Sequence, residues 1–237
     1  FNTVVKGQAK PSRTFTITND GNAPLTTHTS IPPGFVVVDP LKSKLLGGAS
    51  DTFQIQLDNK VLGDKGGDVV ITTNDGNEHY FTFGVEGKVS GPQASVTDFA
   101  TAFPINNRQS AVVDMGAVNQ DVQFNYSFWL DNSGDLPLVV NDIVLPNGFD
   151  LAFFTTTAST RGEVFINSFP TTIAPGGVGR FTIELDTTEL GDFGGTLSIL
   201  TNEGFGSPYQ FDIRATVGFN PFTSEIGIFR KREWLLD

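Results

Sequence analysis

A chain that spells one pattern twice has to build one structural unit and then build it again. Residues 48–89 align without a gap on residues 176–217, 128 positions later, and 16 of the 42 pairs are identical. The identities include Phe53/Phe181, Ile55/Ile183, Leu57/Leu185, Leu62-Gly63-Asp64/Leu190-Gly191-Asp192, Gly66-Gly67/Gly194-Gly195 and Thr73-Asn74/Thr201-Asn202. Agreement of that density marks a true internal repeat. Units used in tandem serve as scaffolds or binding modules, so the repeat bears on function as well as on fold.

Upstream, the match continues after one change of length. Asn19, Gly21 and Pro24-Leu25 correspond to Asn132, Gly134 and Pro137-Leu138, and Pro32, Gly34 and Phe35 correspond to Pro146, Gly148 and Phe149. The offset is 113 to 114 here and 128 downstream, so the second copy carries about 14 extra residues, within 152–171. This divides the chain into a first domain at 1–90, a second at 91–218 and a tail at 219–237. Each copy is long enough to bury a core of its own.

The hydrophobic period is two. Phe53, Ile55 and Leu57 alternate with Thr52, Gln54 and Gln56; Phe181, Ile183 and Leu185 do the same, as do Phe15 and Ile17. Such alternation sets one face of a strand in a core and the other in water. Turn sequences separate the strands: Asn19-Asp20-Gly21-Asn22, Pro32-Pro33-Gly34 and Asn74-Asp75-Gly76-Asn77 among them. No amphipathic helix is apparent. The expected fold class is all-β: two tandem immunoglobulin-like β-sandwich domains.

A more specific likeness rests on the order Phe15-x-Ile17-x-Asn19-x-Gly21-x-x-Pro24-Leu25, then Pro32-x-Gly34-Phe35, then Phe53-x-Ile55-x-Leu57, Gly63-x-x-Gly66-Gly67 and Thr73-Asn74. This resembles the Hydin-type immunoglobulin-like domains found in bacterial surface proteins of the choice-of-anchor D kind. Residues 13–89 and 111–217 carry it. The second copy departs by Trp129 inside the strand, Leu130 in place of isoleucine, and the insertion. The resemblance implies the fold and a general role in surface display or adhesion, and it brings no catalytic residues.

The two copies do not match at their ends. A leader precedes the second copy, Ala94-Ser95-Val96-Thr97-Asp98-Phe99, followed by Val112-Val113 up to Gly116. The first copy has only residues 1–7 there, with Val4-Val5 against Val112-Val113, so its opening strand is expected to be missing. After Val217 the tail resembles the linker after the first copy, with Pro221 where Pro92 falls and Phe229 near Phe99. It reads as an opening strand without a domain. One explanation is donation of that strand to another copy, through Phe222, Ile226, Ile228, Phe229, Trp234 and the basic run Arg230-Lys231-Arg232. A second is a piece cut from a longer array, and a third is a tail folded back on its own chain. The start at Phe1 reads as a processed end or a fragment boundary.

Composition narrows the function. The chain has no cysteine, 15 Lys+Arg and 26 Asp+Glu, a net charge of −11. That speaks against nucleic acid as partner, because phosphate binding needs cationic side chains. No apolar run approaches the length of a membrane span, so membrane insertion is not expected. Residues 1–90 hold 8 basic and 9 acidic groups, whereas residues 91–218 hold 4 and 14. Low charge density, abundant Gly, Asn and Thr, and the absence of cysteine suit an exported prokaryotic protein, extracellular or at the cell surface.

Candidate sites are few. His28 and His79 occupy unrelated places in the repeat and lack the company a catalytic or metal-binding histidine needs. Calcium is the one cofactor the loops suggest, through Asp20, Asp75, Asp131 and Asp135, although tight turns call for the same residue types. Trp129 has outward parity: either an anchor for a partner or glycan, or a ring capped by Phe153, Phe154, Phe165, Ile166 and Phe169 of the insertion. Asn125-Tyr126-Ser127 matches a glycosylation sequon in mid-strand. The expectation is a non-enzymatic, self-associating structural subunit, with an adhesive or carbohydrate-binding surface module as the alternative.

Overall fold

The structure, a computed structural model, describes residues 1–157, 163–166, 168–219, 228–230 and 233–235. All regular structure among them is β. The chain divides into two compact units. One is Phe1–Gln93 with the turns Ser133–Leu138 and Asn202–Ser207; the other is Ala94–Asn132, Val139–Thr201 and Pro208–Asp237.

The strands of the first repeat are β1 (Thr3–Val5), β2 (Ser12–Thr18), β3 (Leu25–Ser30), β4 (Phe35–Asp39), β5 (Lys44–Leu45), β6 (Ser50–Leu57), β7 (Gly63–Thr73) and β8 (Tyr80–Ser90). They form two sheets, β1-β8-β7-β3-β5 and β2-β6-β4. Period-two alternation sends Phe53, Ile55 and Leu57 of β6 inward to meet Val69, Ile71, Val85 and Val89 of the other sheet. Each such side chain contributes about 1.5–3 kcal/mol when fully buried. The product is an immunoglobulin-like sandwich.

The second repeat supplies β9 (Ala94–Asp98), β10 (Pro104–Ile105), β11 (Val113–Asn119), β12 (Phe124–Asn132), β13 (Leu138–Val144), β14 (Phe149–Thr157), β15 (Glu163–Ile166), β16 (Thr171–Ile173), β17 (Val178–Leu185), β18 (Gly191–Thr201) and β19 (Tyr209–Gly218). Its sheets run β10-β9-β12-β17-β14-β15 and β11-β19-β18-β13-β16. Phe128, Phe181 and Phe211 centre this core, with ring centroids 5.0 Å apart for Phe128–Phe181 and 5.4 Å for Phe128–Phe211. This too is an immunoglobulin-like sandwich. Beyond it, β20 (Ile228–Arg230) and β21 (Glu233–Leu235) pair as an antiparallel hairpin.

The repeated residues turn out to lock turns. Asn19 is buried and donates from Nδ2 to the carbonyls of Ala23 (2.8 Å), Leu45 (3.2 Å) and Leu46 (3.1 Å); Asn132 donates to Ile173 at 3.1 Å. Asn74 and Asn202 each donate to a proline carbonyl, Pro24 and Pro137, at 3.2 Å. Gly67 and Gly195 sit at φ of +148° and +144°, where a Cβ would fall 2.7 Å from Pro32 and 2.9 Å from Pro146. A side chain at either glycine would push the Pro-x-Gly-Phe turn off the sheet. The parallel pairing of β1 with β8 recurs as β11 with β19. So does a bulge, between Val37 and Asp39 in β4 and between Leu151 and Phe153 in β14.

The copies part company just after that bulge. In the first, Pro40 follows β4 and removes a ladder donor, so the strand stops. In the second, Phe154 occupies the same place, and β14 continues to Thr157 with β15 returning alongside it.

Candidate functional site

In the second unit, the edge of β12 is covered. β9 pairs with it antiparallel, Val96 opposite Leu130 and Asp98 opposite Phe128, and β10 returns with Ile105 opposite Val96. Val96 and Ile105 are both buried. The return strand also ties itself to β19. The Tyr209 hydroxyl donates to the carbonyl of Ile105, the amide of Arg108 donates to Gln210 at 2.6 Å, and the amide of Gln210 donates to Asn107 Oδ1 at 2.9 Å. Asp98 closes the hairpin by accepting from the amides of Ala100 (2.8 Å) and Thr101 (2.9 Å) and from the Tyr126 hydroxyl (2.6 Å). Burial, aided by that carboxylate, pushes the Tyr126 phenol well above its ordinary range.

The first unit presents the same edge bare. β2 pairs with β6 in the register that β12 keeps with β17, Phe15 opposite Phe53 as Phe128 is opposite Phe181. On its other side, no strand among the described residues pairs with β2. A groove of about 640 Å³ lies there, walled by Phe15 and Ile17 on one side and Ile71, Phe81 and Phe83 on the other. Its rings touch one another: the Phe15 centroid lies 4.8 Å from Phe83 and 5.3 Å from Phe53. Phe81 is 51% exposed, whereas Tyr209 at the same repeat position is 7% exposed. Phe15, Ile17 and Phe83 are likewise half-buried where Phe128, Leu130 and Phe211 are fully enclosed. Arg13 stands where the second copy has Tyr126, its guanidinium 5.8 Å from the Phe1 ring centroid.

An exposed β-edge beside an apolar groove can do one thing well. It can take up an extended segment through backbone hydrogen bonds, with alternate side chains entering the groove. Alternation predicts a core face for Phe15 and Ile17, and the same period joins Phe81 to Phe83, yet these four are only partly covered. The signal for their exposure was the unequal leader lengths, together with phenylalanine at 81 where the second copy has a tyrosine that bonds its own covering strand.

Of the other residues singled out, Phe222, Ile226, Lys231 and Arg232 lie outside the described residues. Ile228, Phe229, Arg230 and Trp234 belong to the β20–β21 hairpin, with Ile228 opposite Leu235 and Phe229 opposite Trp234. Trp129 lies beside Phe99, centroids 5.0 Å apart with the ring planes tilted by 41°, and the Arg180 guanidinium lies 5.9 Å from the Trp129 ring, 5.5 Å from Phe99 and 5.5 Å from Phe153. Its cover is therefore only partly the expected one. Phe153 contributes through Arg180, but Phe154 turns into the core and meets Phe169 at 5.8 Å, because the bulge at 151–153 reverses the parity of β14. The side chains of Phe165 and Ile166 lie outside the described set.

The acidic loops are engaged in turns. Asp75 Oδ1 accepts from the Asn77 amide at 2.9 Å. Asp135 accepts from the Gly91 amide (2.8 Å), Ser90 Oγ (2.9 Å) and Lys88 Nζ (3.2 Å), and these bonds hold its carboxyl below the usual range. Burial raises Asp131. Asp20 lies at the end of the groove. Among the described residues, no three His, Asp or Glu side chains gather as a metal site. His28 is exposed on β3, and His79 meets Tyr80 edge-on with centroids 4.5 Å apart.

No protein-family model matches the chain, and no curated protein matches it. Solved structures do. The C-terminal domain of the Streptococcus agalactiae AgI/II polypeptide BspA is 9% identical, covering 91% of this chain and 95% of that one, with a TM-score of 0.36. A Porphyromonas gingivalis W83 protein of unknown function is 14% identical over 90% of this chain and 93% of that one, TM-score 0.37. The class 5 fimbriae chaperone CfaA is 13% identical over 90% and 95%, TM-score 0.24. All three scores lie below 0.5, so the fold and the groove stand on this chain's own strand pairing and burial.

Proposed function

We propose that the protein is a non-enzymatic structural subunit of an extracellular or cell-surface assembly, in which the groove of the first unit receives a strand from the tail of another copy. The observation that carries this reading is the difference between Phe81 and Tyr209: one repeat position, covered in one copy and open in the other. An uncovered apolar edge invites pairing with another chain, and a specific donor gives that pairing one address. The donor follows from the repeat. The segment after β8 leaves the first sandwich and, as β9, opens the next; the tail after β19 repeats that sequence pattern and so opens a sandwich in the next copy. Such a contact is head-to-tail and heterologous, and it grows a filament unless the rotation closes a ring. The Hydin-type motif and the acidic, cysteine-free composition support display outside the cell.

Deletion of residues 219–237 tests this. The intact chain should form polymers visible by negative stain, and the shortened chain should elute as a monomer; polymers from the shortened chain would falsify the proposal.

A second reading is supported by the aromatic pair on the second unit, where the exposed Phe99 (43%) lies against Trp129. It makes that face a glycan or partner platform. Loss of glycan-array signal in Trp129→Ala, with polymerisation unchanged, would favour it.

A further inference from the structure

The groove has two parts, and a single strand would cover only one. Along β2 runs the strip of Phe15 and Ile17; toward the start of β8 lies the mouth, where Phe81 stands open. In the second unit, these parts have different tenants. Val96 of β9 lies opposite Leu130, and the mouth is closed by Ile105 of the return strand, whose carbonyl holds Tyr209. Val96 and Ile105 are directly opposite each other in the β9–β10 ladder, and directly opposed residues share a face.

The tail holds the same arrangement. β20 and β21 form an antiparallel hairpin in which Ile228 is opposite Leu235. We infer that the donor enters the neighbouring copy's groove as this whole hairpin, with Ile228 beside Ile17 and Leu235 over Phe81. The inference rests on the strand-exchange reading above and adds the identity and register of the donor. Phe81 fits this partner. It lacks the hydroxyl with which Tyr209 binds a carbonyl, so the first unit asks of the return strand an apolar side chain alone. In this register Arg230 takes the place of Asp98, with Glu233 opposite it.

The competing register follows the match of Phe229 with Phe99 and puts Ile226, not Ile228, in the place of Val96. The chain has no cysteine, so engineered pairs report the register directly. Trp129 is opposite Thr97 in the second unit, which makes Thr16 opposite Phe229 in the proposed register and opposite Gly227 in the competing one. Under mild oxidation, full-length Thr16→Cys/Phe229→Cys should give disulfide-linked ladders between copies, and Thr16→Cys/Gly227→Cys should not. Ladders from the Gly227 pair alone overturn the hairpin register while leaving strand exchange standing, and a bond closing within one chain overturns donation between copies.

Leu235→Ala in the otherwise unaltered chain keeps the proposal testable if the cysteine variants fold poorly. It should weaken assembly about 10- to 100-fold, the worth of one buried leucine. Wild-type assembly by Leu235→Ala overturns the hairpin. Polymers that persist without 219–237 overturn the parent reading as well.

Discussion

One sheet of the second copy runs β10-β9-β12-β17-β14-β15, while its counterpart in the first is only β2-β6-β4. The three central strands are the same in pattern, pairing and bulge. The difference lies in what flanks them: a leader hairpin on one side and a longer β14 with its return strand on the other. Covered, the central strand buries Phe128 and Leu130 completely; uncovered, the equivalent Phe15 and Ile17 stay half in water. One repeat pattern thus gives a covered edge in one copy and, among the described residues, an open edge in the other. The two edges differ in what flanks them more than in their own residues.

The sharpest way to break this comparison is to truncate the matched phenylalanines. Phe128→Ala should cost the second unit about 3–5 kcal/mol, the range for a fully buried ring. Phe15→Ala should cost the first unit roughly half of that or less in the monomer, because part of the ring is already hydrated. Chemical denaturation of each variant reads both values, and equal losses would mean that the groove is closed in solution.

A smaller effect separates the two mouths. Tyr209→Phe deletes the hydroxyl bond to Ile105 and should destabilise the second unit by about 0.5–1.5 kcal/mol. The reciprocal Phe81→Tyr, at an exposed position, should change stability by less than about 0.5 kcal/mol. Thermal scans would show the asymmetry, and a matching loss in Phe81→Tyr would contradict it.

The smallest effect concerns Asp131, which follows Leu130 on β12. Burial raises its pKa, so the folded state holds the proton more tightly than the unfolded chain does. The ionised carboxylate is therefore a penalty, present at neutral pH and relieved as the pH falls through the raised value. Asp131→Asn should raise the unfolding temperature of the second unit slightly at pH 7 and leave it unchanged at about pH 3, below the carboxylate range. A rise of the same size at both pH values would remove the titration argument.

Much of the fold was legible because alternation is a local property. Phe53-x-Ile55-x-Leu57 can bury one face only as a strand, and the shared Asn, Gly and Pro residues announce turns, although the distant carbonyls that Asn74 and Asn202 bond are not readable from their neighbours. The candidate site was half legible. Unequal leaders pointed to an opening strand present in one copy and missing from the other, but no local pattern told an exposed Phe81 from a buried Tyr209. The partners of Trp129 were less legible still. The bulge in β14 inserts one residue into a ladder and turns Phe154 inward, and neighbouring residues give no sign of it.

By itself, then, the sequence determined the repeat, the period of two and the turns, since alternation and turn composition depend on residues close together in the chain and the repeat is read by aligning them. Tertiary structure alone decided which edge is covered and which is open. Coverage depends on whether a strand from elsewhere in the chain reaches that edge, and exposure is a property of the packed sheet rather than of any residue in it.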